Sequence, residues 1–319
     1  MPPSEQTPKP PKRPLYWLLR AVVTVAPLFF LLSAGFAWHP PLLFWALSLY
    51  GSTDLCTSAQ ARIGLERMFN ADDVGVEIGK QSKQVRTENG LALFQTPRGN
   101  YWVPTGTEHV LGKLLAQQQL EFYGDRETGV QPGQIVLDCG AHIGVFVAEA
   151  LKRGAAKVVA IEPAPSNVEC LRRNFEKEIA AGRVVVAPVG VWDQDDVLPL
   201  YEFDHNSAAD SFIIQGKAGK VLHKVPLTTI DKLVTQHGLE RVDYIKMDIK
   251  GAARKALEGA KQTIARHHPR VTVSTEEAAD DPRVLRGYLA GLDKPYTASC
   301  GVCTFWQKKF VHPDVMFFR

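Results

Sequence analysis

Three features of the sequence predict an α/β fold built on a mostly parallel, Rossmann-like sheet. From residue 135 onward, apolar runs of strand length alternate with stretches of helical periodicity, the pattern of a parallel sheet covered on both faces. The first run, Ile135-Val-Leu-Asp138, passes straight into a glycine-bearing turn, Cys139-Gly-Ala-His-Ile-Gly144, and then into a helical pattern. Finally, Asp138, Glu162, Asp193 and Asp248 each stand at the carboxyl end of a predicted strand, the edge where such sheets bind ligands.

Composition sets the frame. The 319 residues are 45% hydrophobic and 22% charged, ample for one large domain with an extension. A net charge of +3 supplies no argument for a nucleic-acid partner. Five cysteines, an odd number without dense spacing, do not read as a disulfide framework.

The chain opens with a Pro-rich basic tail over residues 1–14, expected to be disordered. Residues 15–50 are expected to be a membrane segment. Residues 21–38 carry no charge, about the length that crosses a bilayer core, and Tyr16, Trp17 and Trp38 sit where interface aromatics would. Three topologies stay open: a single pass, a hairpin turning at His39-Pro40-Pro41, and a cleaved signal at Gly35-Phe36-Ala37. Residues 51–109 read as a linker and β-hairpin lead-in. A short helix fits 59–68, and two strand-like runs, 91–94 and 101–103, flank the turn Pro97-Arg-Gly-Asn100. The globular part is placed from about residue 80, and the main domain over 110–319, starting with a helix at 110–122.

Within that domain, a helix is expected over 145–153 and a second strand over 158–161. A helix follows over 166–179 with Ser166 as N-cap, then a third strand over 183–191. Residues 195–225 read as an insertion with short strands at 198–203 and 221–225. A helix at 229–237, a strand at 242–249, a helix at 252–264, a strand at 270–275 and a helix at 282–292 continue the alternation. Strands at 296–299 and 315–318 close it.

The ligand chemistry comes from the first two strand ends. Glu162, about twenty residues past the glycines, is placed to take the two ribose hydroxyls of a nucleoside. A dinucleotide site wants G-x-G-x-x-G with a pyrophosphate at the helix start. Here Asp138 would crowd that pyrophosphate. A carboxylate suits a cationic nucleoside with an ammonium group and no phosphates, and S-adenosylmethionine is such a ligand. The bland alternative is that Asp138 caps the following helix.

The stretches Val136-Leu-Asp-Cys-Gly-Ala-His-Ile-Gly144, Ile161-Glu-Pro-Ala-Pro165, Val189-Gly-Val-Trp-Asp193 and Val242-Asp-Tyr-Ile-Lys-Met-Asp-Ile-Lys-Gly251 resemble the FkbM-type family of S-adenosylmethionine-dependent methyltransferases. The resemblance covers roughly residues 110–300. It implies a class I methyltransferase fold of seven strands with the last antiparallel, and O-methylation, often of a sugar or natural-product hydroxyl. Two positions depart from it: His142 stands where the family usually has Asn, and Lys250 where it has a carboxylate.

The candidate site is therefore Asp138, Gly140, His142 and Gly144 at the methionine end of the cofactor, Glu162 at the ribose, and Asp193 nearby with its partner open. Asp248 is the candidate base toward an acceptor hydroxyl, with Lys246 or Lys250 expected to orient an anionic substrate. No metal site is expected, because Cys300-Gly-Val-Cys303 is a lone C-x-x-C, read as two ordinary thiols. The expected partner is a small-molecule or lipid-linked acceptor. A cytoplasmic face for the domain follows from where the cofactor is made. An NAD-dependent oxidoreductase and a non-catalytic, membrane-anchored nucleoside binder are the competing readings; Lys250 is the best support for the latter.

Overall fold

The strand-length apolar runs assemble into one seven-stranded sheet. In the computed structural model, which describes residues 55–201, 221–306 and 310–319, its spatial order is β12 (Ala298–Cys300), β15 (Val315–Phe318), β11 (Arg270–Ser274), β10 (Tyr244–Met247), β4 (Ile135–Cys139), β5 (Lys157–Ile161) and β6 (Val184–Ala187). All pairings are parallel except those of β15, which lies antiparallel between β11 and β12. The expected fold class is therefore present among the described residues, and its one reversed strand is inserted rather than at the edge.

Alternation along each strand divides the core. Leu137, Val159 and Ile245 face one side, with α6 (Ile230–Gln236), α7 (Ala253–Glu258), α8 (Lys261–His267) and α9 (Asp281–Ala290). Val136, Val158 and Tyr244 face the other, with α3 (Val145–Lys152) and α4 (Pro165–Asn174). The four central strands are buried on both faces, so they read as continuous apolar runs rather than alternating ones.

Several expected elements are divided. The 166–179 helix is α4 followed by α5 (Glu176–Ala180), with a break at Phe175. Pro165 takes the first helical position, so the N-cap is Ala164 and Ser166 lies inside the helix. The 252–264 helix is two helices because Gly259 packs on backbone: a Cβ there would lie 2.0 Å from the Trp192 carbonyl oxygen. The 183–191 strand leaves the main sheet after β6. Its end, β7 (Gly190–Val191), pairs with β9 (Val221–Thr228), and β8 (Asp196–Tyr201) lies on the far side of β9.

The largest departure lies before the sheet. Helix α1 runs over Ser58–Gln81, opened by a capping box between Thr57 and Gln60, where only 59–68 was expected to be helical. The globular part therefore begins well before residue 80. Its buried positions include Ala61, Gly64, Ala71 and Gly75. Gly75 lets α1 sit backbone-to-backbone on α2 (Leu111–Gln119), where a Cβ on Gly112 would lie 2.4 Å from the Gly75 carbonyl oxygen, and Gly64 packs likewise on the Gly301 carbonyl oxygen. An interface made of small residues leaves no large-apolar periodicity to read. The expected hairpin is present as β2 (Leu91–Thr96) and β3 (Gly99–Pro104), and β1 (Lys83–Glu88), exposed along its whole length, adds a third strand.

Cys300 is not a free thiol. It forms a disulfide with Cys56, 244 residues away, which ties the start of α1 to β12; Cys139, Cys170 and Cys303 are free and buried. β13 (Cys303–Trp306) and β14 (Phe310–Pro313) form a separate hairpin against α1. Among the described residues no helix is long and apolar enough to cross a membrane. The basic tail, the apolar segment at 15–50, and residues 202–220 of the insertion lie outside the described residues.

Candidate active site

The tips of β4, β5 and β10 converge at one edge of the sheet, and the sequence places a carboxylate at each. These three acids do different work.

Asp138 is wholly buried, and the ammonium beside it belongs to the chain itself: Lys246 Nζ lies 3.0 Å from its Oδ1. The two residues are register partners on adjacent strands, so strand pairing itself brings them together. Lys246 also donates to the Gly140 carbonyl oxygen at 2.9 Å and lies over the Tyr123 and Phe146 rings. Burial raises the Asp138 carboxyl despite the neighbouring lysine. Burial also opposes the Lys246 charge, but Asp138 and Asp248 outweigh it and raise the lysine. Asp138, expected at the cofactor ammonium, thus carries an internal ion pair that locks the glycine turn, and Lys246, expected toward an anionic substrate, makes that pair from the cleft wall.

The glycines are demanded by packing within the chain. Gly140 has φ +78°, and a Cβ there would lie 2.0 Å from the Asp248 carbonyl oxygen. Gly144, at φ +91°, is the N-cap of α3, and a Cβ would meet the Phe175 ring at 2.1 Å. His142 also has a left-handed φ of +50°, a conformation in which Asn is favoured among residues with a side chain. The Asn-to-His departure thus falls on a left-handed backbone position, which Asn and His both adopt more often than most residues. Burial, aided by Lys246, pushes the His142 imidazole down to about 3, so it is neutral.

Glu162 bridges the two loops. Its Oε2 accepts from the His142 N–H at 2.9 Å, and its Oε1 accepts from the Ala164 N–H at 3.0 Å and the Asn167 amide at 3.3 Å. It lines the cleft together with Gly140, His142, Val189 and Ile249. A carboxylate offers about four acceptor sites, so about one remains for a hydroxyl. Burial raises its carboxyl to about 7, against the opposing pull of those three donors.

Asp248 sits at the β10 tip facing the same cleft. Its Oδ2 accepts from the Tyr123 hydroxyl at 2.7 Å, and its Oδ1 lies 3.4 Å from Lys250 Nζ. Burial alone would raise this carboxyl; Lys250, Lys246 and Tyr123 together outweigh it and lower it to about 2. Lys250, at φ +26°, is enclosed by Asp248, Glu276 and Glu277, the last at 3.5 Å. These carboxylates outweigh burial and raise the lysine, so its charge is neutralised locally.

Asp193 does not join the cleft. Its Oδ2 pairs with Lys255 at 2.6 Å, in a separate groove beside α6 and α8. Tyr123, Asn167, Glu276 and Glu277 were missed at the sequence level. They come from the β4 lead-in, the α4 face and the loop after β11, where no motif marks them. Among the described residues no cluster of His, Cys, Asp and Glu has metal-holding geometry.

Five parallel strands, an antiparallel strand inserted beyond them, and a glycine turn with acids at adjacent strand tips define a methyltransferase-like α/β protein. Residues 138–296 match the family model of the methyltransferase FkbM domain. The chain is 26% identical over 156 residues to methyltransferase sdnD of Sordaria araneosa, covering 40% of this chain and 60% of that one. It is 41% identical over 70 residues to ribosomal protein L11 methyltransferase of Burkholderia multivorans, covering 21% and 23%. Methyltransferase FkbM from Methylobacillus flagellatus KT aligns in structure with a TM-score of 0.45 and 16% identity, over 80% of this chain and 60% of that one. The chain thus spans 60% or less of each of these relatives.

Proposed function

We propose that this protein is an S-adenosylmethionine-dependent methyltransferase acting on a hydroxyl group. The observation that carries the reading is Glu162, a nearly buried carboxylate at the β5 tip, exposed into the cleft beside the Gly140–Gly144 turn. The residues fit the cofactor: Glu162 keeps acceptor capacity for a ribose hydroxyl, and the neutral His142 adds no charge against a sulfonium. When bound, S-adenosylmethionine supplies a methyl group on a good leaving group.

The chain's own residues then have positioning as their main task, since alignment of nucleophile and methyl provides much of the rate. With its carboxyl held at about 2, Asp248 is a weak base and a permanent hydrogen-bond acceptor. It orients an acceptor hydroxyl, with Tyr123 fixing its rotamer. Where Asp248 was expected as the base toward an acceptor hydroxyl, this reading gives it a positioning role.

Calorimetric titration with S-adenosylmethionine and then with NAD tests the reading. Micromolar binding of the first and none of the second supports it. Binding of NAD alone, or of neither by the folded protein, overturns it. Replacing Glu162 by Ala should weaken the cofactor about a hundredfold, since it removes the ribose acceptor and unties both loops.

A further inference from the structure

A second chamber adjoins the cofactor cleft and shares Tyr123, Asp248 and Lys250 with it. It extends between α1, α2 and the C-terminal strands, where Met68, Val302, Glu276 and Asp314 line it. Met68, Val302 and Asp314 lie outside the family-matched residues 138–296.

Asp314 is 5% exposed. Its Oδ1 accepts from the Thr304 hydroxyl at 2.8 Å and meets His312 Nδ1 at 3.2 Å, while the His312 ring packs on Trp306 with centroids 4.5 Å apart and the planes tilted by 35°. Its Oδ2 has no partner among the described residues, and the chamber is the space left to it. This oxygen is not among the sealed unpaired atoms of the fold, so it stays accessible as an acceptor to a donor that enters the chamber.

The cation beside Asp248 is already committed: Lys250 is held by Asp248, Glu276 and Glu277. Lys113, at the α2 wall, is more than half exposed and lies 3.7 Å from Asp72. At the end next to Asp248 the chamber therefore offers hydrogen-bond acceptors in excess of donors. A phosphate or carboxylate entering there would face carboxylates with no spare cation.

We propose that this chamber is the acceptor site and that Asp314 anchors the acceptor through a donor on the substrate. The acceptor then bears hydroxyl or amino donors and no anionic group beside the reacting atom. This assignment rests on the methyl-transfer reading.

The test uses the full-length protein with methyl-labelled S-adenosylmethionine. The acceptor probes are two fractions of a small-molecule extract of the source cells: the flow-through of an anion exchanger, and the retained anions. Label should enter the flow-through. It should fall about tenfold or more in Asp314→Asn, the scale of one buried charged hydrogen bond. It should also fall in Met68→Trp, which fills the chamber from α1 without changing Asp314. Cofactor affinity, measured by calorimetry on each variant, should stay within about twofold. Incorporation unaffected by both substitutions, confined to the retained anions, or absent from both fractions while cofactor binds would overturn the proposal. Failure of the wild-type protein to bind cofactor would sink the methyl-transfer reading instead, so the two failures are distinguishable.

Discussion

The smallest residues of the site carry the most stringent constraints. Gly140 combines φ +78° with a backbone oxygen where its Cβ would be. Gly140→Ala should therefore destabilise the fold by about 2 kcal/mol or more, through left-handed strain plus displacement of the Asp248 loop. Denaturant unfolding reads this directly, and an unchanged midpoint would refute the packing account. The Asp138–Lys246 pair makes a contrasting case. Lys246→Met leaves a wholly buried carboxylate without its cation and should cost about 3–5 kcal/mol. The double change Asp138→Leu with Lys246→Met should recover much of that loss, because the charge to be buried is gone. A double variant as unstable as the single one would argue against the ion-pair assignment. Glu162 should give the site its pH signature. Its carboxyl rises from the model-peptide value of 4.5 to about 7 in the fold, so between those values the folded state holds a proton that the unfolded chain has released. This contribution to stability is therefore fully present below about pH 4.5 and is lost as pH climbs to about 7, amounting to roughly 3 kcal/mol. Comparing unfolding of wild type and Glu162→Gln across pH 4–8 isolates it; parallel curves would count against the shift.

At the scale of elements, α1 decides how the site is closed. It brings Met68 to the second chamber, and its Arg67 reaches the Glu121 carbonyl oxygen and side chain, both at 3.4 Å, two residues from Tyr123. The Cys56–Cys300 disulfide fastens the start of this helix to the main sheet. Closing so long a loop, its loss should lower stability by about 2–5 kcal/mol. Thermal unfolding with and without reductant, beside a Cys56→Ser variant, measures this; coincident transitions would mean the clasp is idle. The bond also bears on the compartment expected for the domain. Disulfides persist in oxidising compartments and are rare in the cytoplasm, where the cofactor is made. Acid quenching of intact cells followed by mass-tagged maleimide separates the cases. Three tagged thiols, corresponding to Cys139, Cys170 and Cys303, mean that the bond is closed in the cell; five mean that it is open.

For the whole molecule, the family-matched segment is less than a folding unit. β15 lies between β11 and β12, and Met316 and Phe318 complete the core on one face of the sheet while Phe317 completes it on the other. A chain ending at residue 296 lacks the strand on which the β11 edge pairs. It should fail to fold cooperatively, as circular dichroism during thermal denaturation would reveal; a sharp transition in the truncated protein would contradict this. The same arrangement gives the substrate chamber its walls, since α1 and the C-terminal strands meet the shared domain at Asp248 and Lys250.

What the sequence determined alone was whatever depends on neighbours in the chain. Apolar runs such as Val158-Val-Ala-Ile161 announced the strands, and Asp138, Glu162 and Asp248 were legible as acids at strand tips because each follows a largely apolar run of strand length. Their spacing pointed to a nucleoside site, and the methyltransferase class was what the resemblance of those stretches implied. Tertiary structure alone decided the partners. That Lys246 would neutralise Asp138 depends on strand register, and that Glu276 and Glu277 would enclose Lys250 depends on the loop after β11. That Cys56 would meet Cys300 depends on a helix packed through glycine and alanine. Each is a contact between distant residues whose local patterns are unremarkable alone. Charge compensation, close backbone approach and cross-linking are properties of proximity in space, and the one-dimensional pattern does not encode them.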